Sequence, residues 1–374
     1  MITNYKKSIL NLTNSIMKHY KAKVNHSSLP TLDEYLKEDK DNIILLIMDG
    51  MGNDYLEKFH PDGFLLKHRK DIITSVFPCT TTAAIRTYES GLSPLEHGNL
   101  GWTLYFKETN KFINILPYRD DDTLIKISED DFDYCKLMSY KSILDYIDEN
   151  SPDVKKHLIY PNFIVNTHEN SMYHGYLDFP HLCEIISTIA HQEGKKFIYI
   201  YCDNPDALMH EHGPSSYVVH KYMEMVQDNL EKLIINLKDT SYTLIISADH
   251  GQIDVEEYIP IYQDETLMEM LEVRPFIEAR CCSFHVKEEY KNKFAKYFNE
   301  KYGKYYVLLT KEEFINQGYL GKGKKHPKID DFIRDFVGIA TTYHTFSIKE
   351  SSFIMKGQHA GLCKEENEVP LIII

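Results

Sequence analysis

The sequence predicts an α/β fold: a largely parallel central sheet flanked by helices on both faces, with a small α+β cap inserted late in the chain. Three observations lead there. Residues 43–48, 197–201 and 243–246 are apolar on both faces, the pattern of strands buried within a parallel sheet. Helical spacing over 176–193 and 218–237 runs into two of these strands, the helix-then-strand order of right-handed crossovers. Finally, each run ends in acidic residues: Asp49, then Asp203 and Asp206, then Asp249 with His250. Carboxyl ends of strands are where such sheets place ligands.

Residues 1–40 carry helix-like spacing and a polar turn at 25–30, which predicts a peripheral helical lead-in. Residues 72–77 form a second strand, closed by Pro78, and 80–89 a helix whose first turn is rich in hydroxyls. Amides at that helix N-terminus favour an anion. Residues 130–150 add an amphipathic helix. After about residue 260 the texture changes to a strand at 280–286, a Lys-rich helix at 288–302, a strand at 305–309 and a short helix at 311–317. The expected organisation is a lead-in at 1–40, a catalytic α/β core at 41–260 and 335–374, and a cap at 261–334.

At 374 residues and 43% hydrophobic, the chain can bury a large core. Its 42 basic and 56 acidic residues, net −14, oppose binding to a nucleic acid polymer or an anionic membrane. Residues 1–23 hold five lysines and no continuous apolar stretch, so no signal peptide is expected there, and no window approaches a membrane helix. Seven scattered cysteines without a CxxC pair point to a reduced, cytoplasmic protein.

Chemistry concentrates at the strand ends. Asp206 and His210 stand four apart, so a helical turn would project both to one side, where they could share a cation. Alone, that spacing is commonly a solvated helix face. Asp249 and His250 emerge from a strand with almost no polar content, and burying them unpaired would cost several kcal/mol. They therefore reach solvent or bind something. Asp49 precedes Gly50 and Gly52, which permit a sharp turn, though a capping aspartate would look the same. His359 lies between glycines but is one of 18 histidines. Thr80, Thr81 and Thr82 are either a capping cluster or, beside a metal, a source of an activated hydroxyl.

Taken in order, MDGMG from Met48, PCTTTAA from Pro78, SGLSPLEHGNLGW from Ser90, DALMHEHGP from Asp206, SADHGQ from Ser247 and KGQHAG from Lys356 resemble the alkaline phosphatase superfamily. The branch they most resemble is the type I phosphodiesterases and nucleotide pyrophosphatases. The resemblance implies two divalent metal ions, one held by Asp206, His210 and His359 and the other by Asp49, Asp249 and His250. It puts the nucleophile on Thr81, three residues after Pro78 and ten before Gly91, with Thr80 the nearest competitor. Nitrogen and carboxylate ligands suit zinc, with manganese also compatible. The implied activity is metal-dependent hydrolysis of a small anionic phosphoester through a threonine-bound intermediate, with water activated on the Asp206 side completing turnover.

There are departures. Relatives commonly carry an asparagine three residues after the nucleophile; here Ala84 stands there, so Arg86 or the Thr82 hydroxyl would have to serve a phosphoryl oxygen. Cys79 lacks the proline that follows a sulfatase nucleophile, which disfavours sulfate esters. Alternatives are a phosphomonoesterase or phosphonate hydrolase on the same site, or a catalytically silent metal- or nucleotide-binding sensor. His97, His212 and the basic run at 321–326 read as a wall residue, a bland neighbour and a solvated loop.

Overall fold

The computed structural model describes residues 3–128, 130–165 and 171–374. Its central sheet has seven strands in the order Arg69–Thr74, Glu368–Ile373, Tyr242–Ser247, Asn42–Met48, Lys196–Cys202, Lys155–Pro161, Tyr173–Tyr176. All but Glu368–Ile373 run parallel; that strand is antiparallel to both neighbours. The α/β expectation holds, as a mixed sheet flanked by helices. Every residue of Asn42–Met48 is buried, as befits an apolar strand with a partner along each edge. Register levels the three chemical strand ends: Ile43 pairs with Phe197 and Thr243, and the Asp49 amide donates to the Cys202 carbonyl at 2.8 Å.

The expected strand at 72–77 is displaced to Arg69–Thr74 and sits at the sheet's edge, with two strands between it and Asn42–Met48. Ser75 to Thr80 instead crosses back over the strand ends, tied down where the Ser75 hydroxyl donates to the Asp249 carbonyl. The lead-in is not peripheral. Ile9–His19 is buried along most of its length and packs against Thr81–Ser90, with Asn14 Nδ2 donating to the Gly91 carbonyl at 3.0 Å. The expected helix at 130–150 is two short ones, Tyr134–Leu137 and Ile143–Asn150, and that at 176–193 is a strand ending at Tyr176 followed by Phe179–Ala190.

A second seven-stranded sheet forms the cap, antiparallel throughout, in the order Tyr306–Thr310, Phe336–Ala340, Cys281–Phe284, Phe276–Ile277, Thr103–Phe106, Lys111–Asn114, Arg119–Asp120. It draws strands from both sides of 261–334: 103–120 and 336–340, expected in the core, belong to it. Pairing explains the difference. Thr103 meets Ile277 across the sheet, a long-range partnership that no local pattern encodes. Alternate residues of Cys281–Phe284 face two apolar clusters, Cys281 with Leu104 and Ile113, Cys282 and Phe284 with Phe294 and Phe298.

Candidate active site

Between the carboxyl ends of the central strands and the cap lies a cavity of about 720 Å³, with Thr80, Thr81, Asp206, His210 and His359 on its floor. Each floor residue is set by a local device. Gly50, at φ +75°, turns the chain after Asp49; a Cβ there would lie 2.9 Å from Asp206 Cα and Cβ, so glycine lets the two strand ends approach. Asp206 opens the short helix Asp206–His212, which projects His210 four residues on beside it, at 3.3 Å from Nε2 to Asp206 Oδ2. Gly357 closes against this turn, where a Cβ would lie 2.2 Å from Gln252 Oε1.

The six expected metal ligands gather in two groups. Ligand atoms of Asp206, His210 and His359 all lie within 4.8 Å of one another, and so do those of Asp49, Asp249 and His250. The groups adjoin, with the His250 and His359 rings stacked at 3.8 Å between centroids. All three histidines point Nδ1 at a backbone carbonyl: His210 at Gly357 (2.8 Å), His250 at Gly251 (3.0 Å) and His359 at Cys79 (3.1 Å). A carbonyl only accepts, so Nδ1 carries the proton and Nε2 is left as a ligand.

The electrostatics call for cations. Burial, then the Asp249 and Asp206 carboxylates, push Asp49 well above the usual carboxylate range. Burial also acts to raise Asp206, but His210 beside it, together with His250 and His359, outweighs that and holds it low. Burial and then the neighbouring His250 push His359 well down, toward the neutral form that binds metal. Asp249 Oδ1 accepts from the Gly50 amide at 3.1 Å and the His250 amide at 2.8 Å, yet its buried Oδ2 has no hydrogen-bond partner. That oxygen lies 3.3 Å from His250 Nε2, which carries no proton when Nδ1 does; a buried carboxylate oxygen so placed is costly, and a coordinated cation relieves it. The residues fit two divalent ions.

Thr81 begins the helix Thr81–Ser90, whose first-turn amides lack intrahelical acceptors. Its Oγ1 lies 3.1 Å from His250 Nε2 and 3.3 and 3.4 Å from the two Asp49 oxygens. Thr80 turns away: its hydroxyl donates to Glu278 Oε1 at 2.6 Å. Ala84 is buried, and Arg86 is engaged by Glu89 at 2.7 Å and Tyr140 at 3.2 Å. The Thr82 hydroxyl is buried without a partner.

The other groups that the sequence singled out stay outside. Asp203 accepts from the Tyr176 hydroxyl at 3.2 Å, buried His97 meets Thr87 at 3.2 Å, and His212 and the 321–326 run do not line the cavity. Sequence reasoning passed over three contributors. The Tyr201 hydroxyl donates to Asp49, Gln252 Nε2 donates to the Asp206 side chain and, at 3.2 Å, to its carbonyl, and Glu278 lines the cavity. Gln252 carried a faint signal, two residues after His250. Tyr201 was hidden in an apolar run, and Glu278 had none.

Comparison with known proteins bears on the family and the fold. A family model, type I phosphodiesterase / nucleotide pyrophosphatase, matches residues 43–351. No curated protein matches. Human ectonucleotide pyrophosphatase / phosphodiesterase 5 superposes with a TM-score of 0.64 at 17% identity, over 88% of this chain and 87% of that one. The murine protein, as an inactive threonine-to-alanine variant in complex with AMP, gives 0.62 at 18% over the same shares. Phosphonoacetate hydrolase from Sinorhizobium meliloti, in complex with phosphonoformate, gives 0.67 at 15%, over 94% of this chain and 92% of that one. At such identities the superpositions speak for the fold, and the family model for descent: the chain belongs to the type I phosphodiesterase / nucleotide pyrophosphatase family of phosphoester hydrolases, within the alkaline phosphatase superfamily.

Proposed function

We propose that the protein hydrolyses a phosphodiester or pyrophosphate bond with Thr81 as nucleophile, at a site holding two divalent ions. Asp49, Asp249 and His250 would hold one and Asp206, His210 and His359 the other. The donor set, three imidazoles and three carboxylates without thiolate, suits zinc and tolerates manganese. The observation that carries the reading is the Thr81 hydroxyl, within 3.4 Å of both Asp49 and His250 at a helix N-terminus. Support also comes from the murine relative that is inactive once a threonine is replaced by alanine.

Bound ions would lower the hydroxyl's pKa and neutralise charge on the phosphoryl oxygens. Thr81 Oγ1 attacks phosphorus, the bond to the leaving oxygen breaks, and a phosphoester of Thr81 forms. First-turn amides of the Thr81 helix donate toward the phosphoryl oxygens. Water hydrolyses the threonine ester from the cavity side, where Asp206, His210 and His359 are reached. Tyr201 and Gln252 hold Asp49 and Asp206 in place throughout.

The test is hydrolysis of bis(p-nitrophenyl) phosphate against p-nitrophenyl phosphate by purified, metal-replete protein. The diester should be preferred. A clear monoester preference would move the assignment to a phosphomonoesterase, and activity toward phosphonoacetate alone to the phosphonate hydrolase reading that the Sinorhizobium neighbour suggests.

A further inference from the structure

The cavity wall above Thr81 carries a carboxyl group that neither ligand set uses. Glu278 follows the cap strand Phe276–Ile277, and its Oε1 accepts from the Thr80 hydroxyl and the Trp102 amide, both at 2.6 Å. Thr80 is the residue before the nucleophile, so this carboxyl is pinned beside the attack site. Both ligand sets are near enough that the His250 and His210 imidazoles, one from each, bear on it.

The backbone is built to put it there. Ile277, the residue before it, sits at φ +88°, a conformation that a β-branched side chain rarely adopts. Such outliers persist only where surrounding structure fixes them, and they gather at functional sites. Here the Gly101 backbone passes close by: a Cβ on it would lie 2.6 Å from the Ile277 carbonyl oxygen.

Among the described residues Glu278 forms no ion pair, and the arginine and lysine of the same cavity are both committed elsewhere. Arg274 binds Asp121 and Asp122 at 2.7 Å each, and Lys349 binds Asp121 at 2.8 Å. The wall that meets a bound phosphoryl group therefore carries one carboxyl group, that of Glu278, with no lysine or arginine bonded to it.

From this geometry we propose that Glu278 is a specificity-determining residue that disfavours phosphomonoesters through charge repulsion. The inference rests on the phosphodiesterase reading above and deepens it. A phosphodiester carries one negative charge, which the ligand sets can accommodate; a phosphomonoester dianion brings a second into the cavity that the Glu278 carboxyl lines. Like charges a few ångströms apart in a low-dielectric cleft repel by amounts that bulk water would screen. Specificity through repulsion of the wrong partner needs no extra contact to the right one.

The experiment compares kcat/KM for bis(p-nitrophenyl) phosphate and p-nitrophenyl phosphate at pH 9, far above the ordinary carboxylate range; burial raises the Glu278 carboxyl, and the Thr80 and Trp102 donors act the other way. Glu278→Gln keeps the shape and an acceptor for Thr80 and Trp102 while removing the charge. It should lower the diester-to-monoester ratio by about tenfold or more, chiefly by raising kcat/KM for the monoester. Glu278→Ala should move the ratio in the same direction, and Glu278→Asp, which keeps the charge, should move it least. Thermal melting of each variant identifies any that fails to fold, and the others then decide. An unchanged ratio in folded Glu278→Gln or Glu278→Ala overturns the proposal while the wild-type diester preference stands. A wild-type monoester preference overturns the phosphodiesterase reading itself.

Discussion

The two proposed ligand groups are alike in donor type and unlike in setting. Asp49, Asp249 and His250 are all buried, and the Thr81 hydroxyl leans on them. Of Asp206, His210 and His359, the first two are partly exposed, and all three line the cavity. The first group is rooted in the ends of adjacent central strands, Asn42–Met48 and Tyr242–Ser247, where register fixes the ligands; the second joins one short helix to a late loop. Rigidity thus lies on the side of the proposed nucleophile, Thr81, and access on the side of water. That division suits a two-step reaction whose first half needs a held hydroxyl and whose second needs an incoming solvent molecule.

The largest effect separates nucleophile from ligands. Thr81→Ala should reduce diesterase activity by at least about a thousandfold, while elemental analysis still finds the wild-type metal content. Loss of metal along with activity would mean that Thr81 belongs to the ligand group and does not stand against it. Thr80→Ala should cost far less, since Thr80 is turned toward Glu278.

Next come the groups themselves. With His359→Ala the exposed group should empty and about one ion per chain remain, resistant to brief chelation. With His250→Ala the buried group should empty. If graded chelation of wild-type protein removes both ions in a single step, the difference in burial does not translate into a difference in retention. A smaller change comes from Gln252→Ala, which removes the amide that orients Asp206. It should weaken metal binding at the exposed group by about 10- to 100-fold and leave the buried group unaffected.

How much of this was legible in the sequence follows the same line. Asp49, Asp206, Asp249 and His250 could be singled out because strand periodicity ends beside them, a local signal. His359 had only the resemblance to point to it, because its loop has no periodicity and its partners lie more than 100 residues away. The cap boundary was misplaced for a related reason: short strands such as Thr103–Phe106 are defined by partners far along the chain. The buried lead-in helix misled differently. Asn11, Thr13, Asn14 and Ser15 look like a solvated face, yet all are buried, with side chains bonded to the backbone of Ser27, Ile9, Leu10 and Leu29. Polarity pattern reports exposure only where polar groups lack internal partners.

The last consequence concerns the metal-free protein and the buried group alone. Burial and the nearby Asp249 and Asp206 raise Asp49, so the folded chain holds that proton more tightly than the unfolded chain, whose aspartates titrate near about 3.9. As pH rises from about 4 through the folded titration, the unfolded chain has released a proton that the folded one still binds, and stability must fall across that window. Asp49→Asn removes the titration and the repulsion together. In chelator it should flatten this slope and raise Tm by roughly 2–4 °C for each kcal/mol relieved, as followed by circular dichroism between pH 5 and 8. With metal the sign reverses, because protons then compete with the ions for the same carboxylates. The wild-type holoprotein should lose stability as pH falls, and Asp49→Asn should then be the less stable chain. If the variant were less stable with and without metal, Asp49 would be held by packing and hydrogen bonds, and the buried group would not be a site kept under electrostatic tension for a cation.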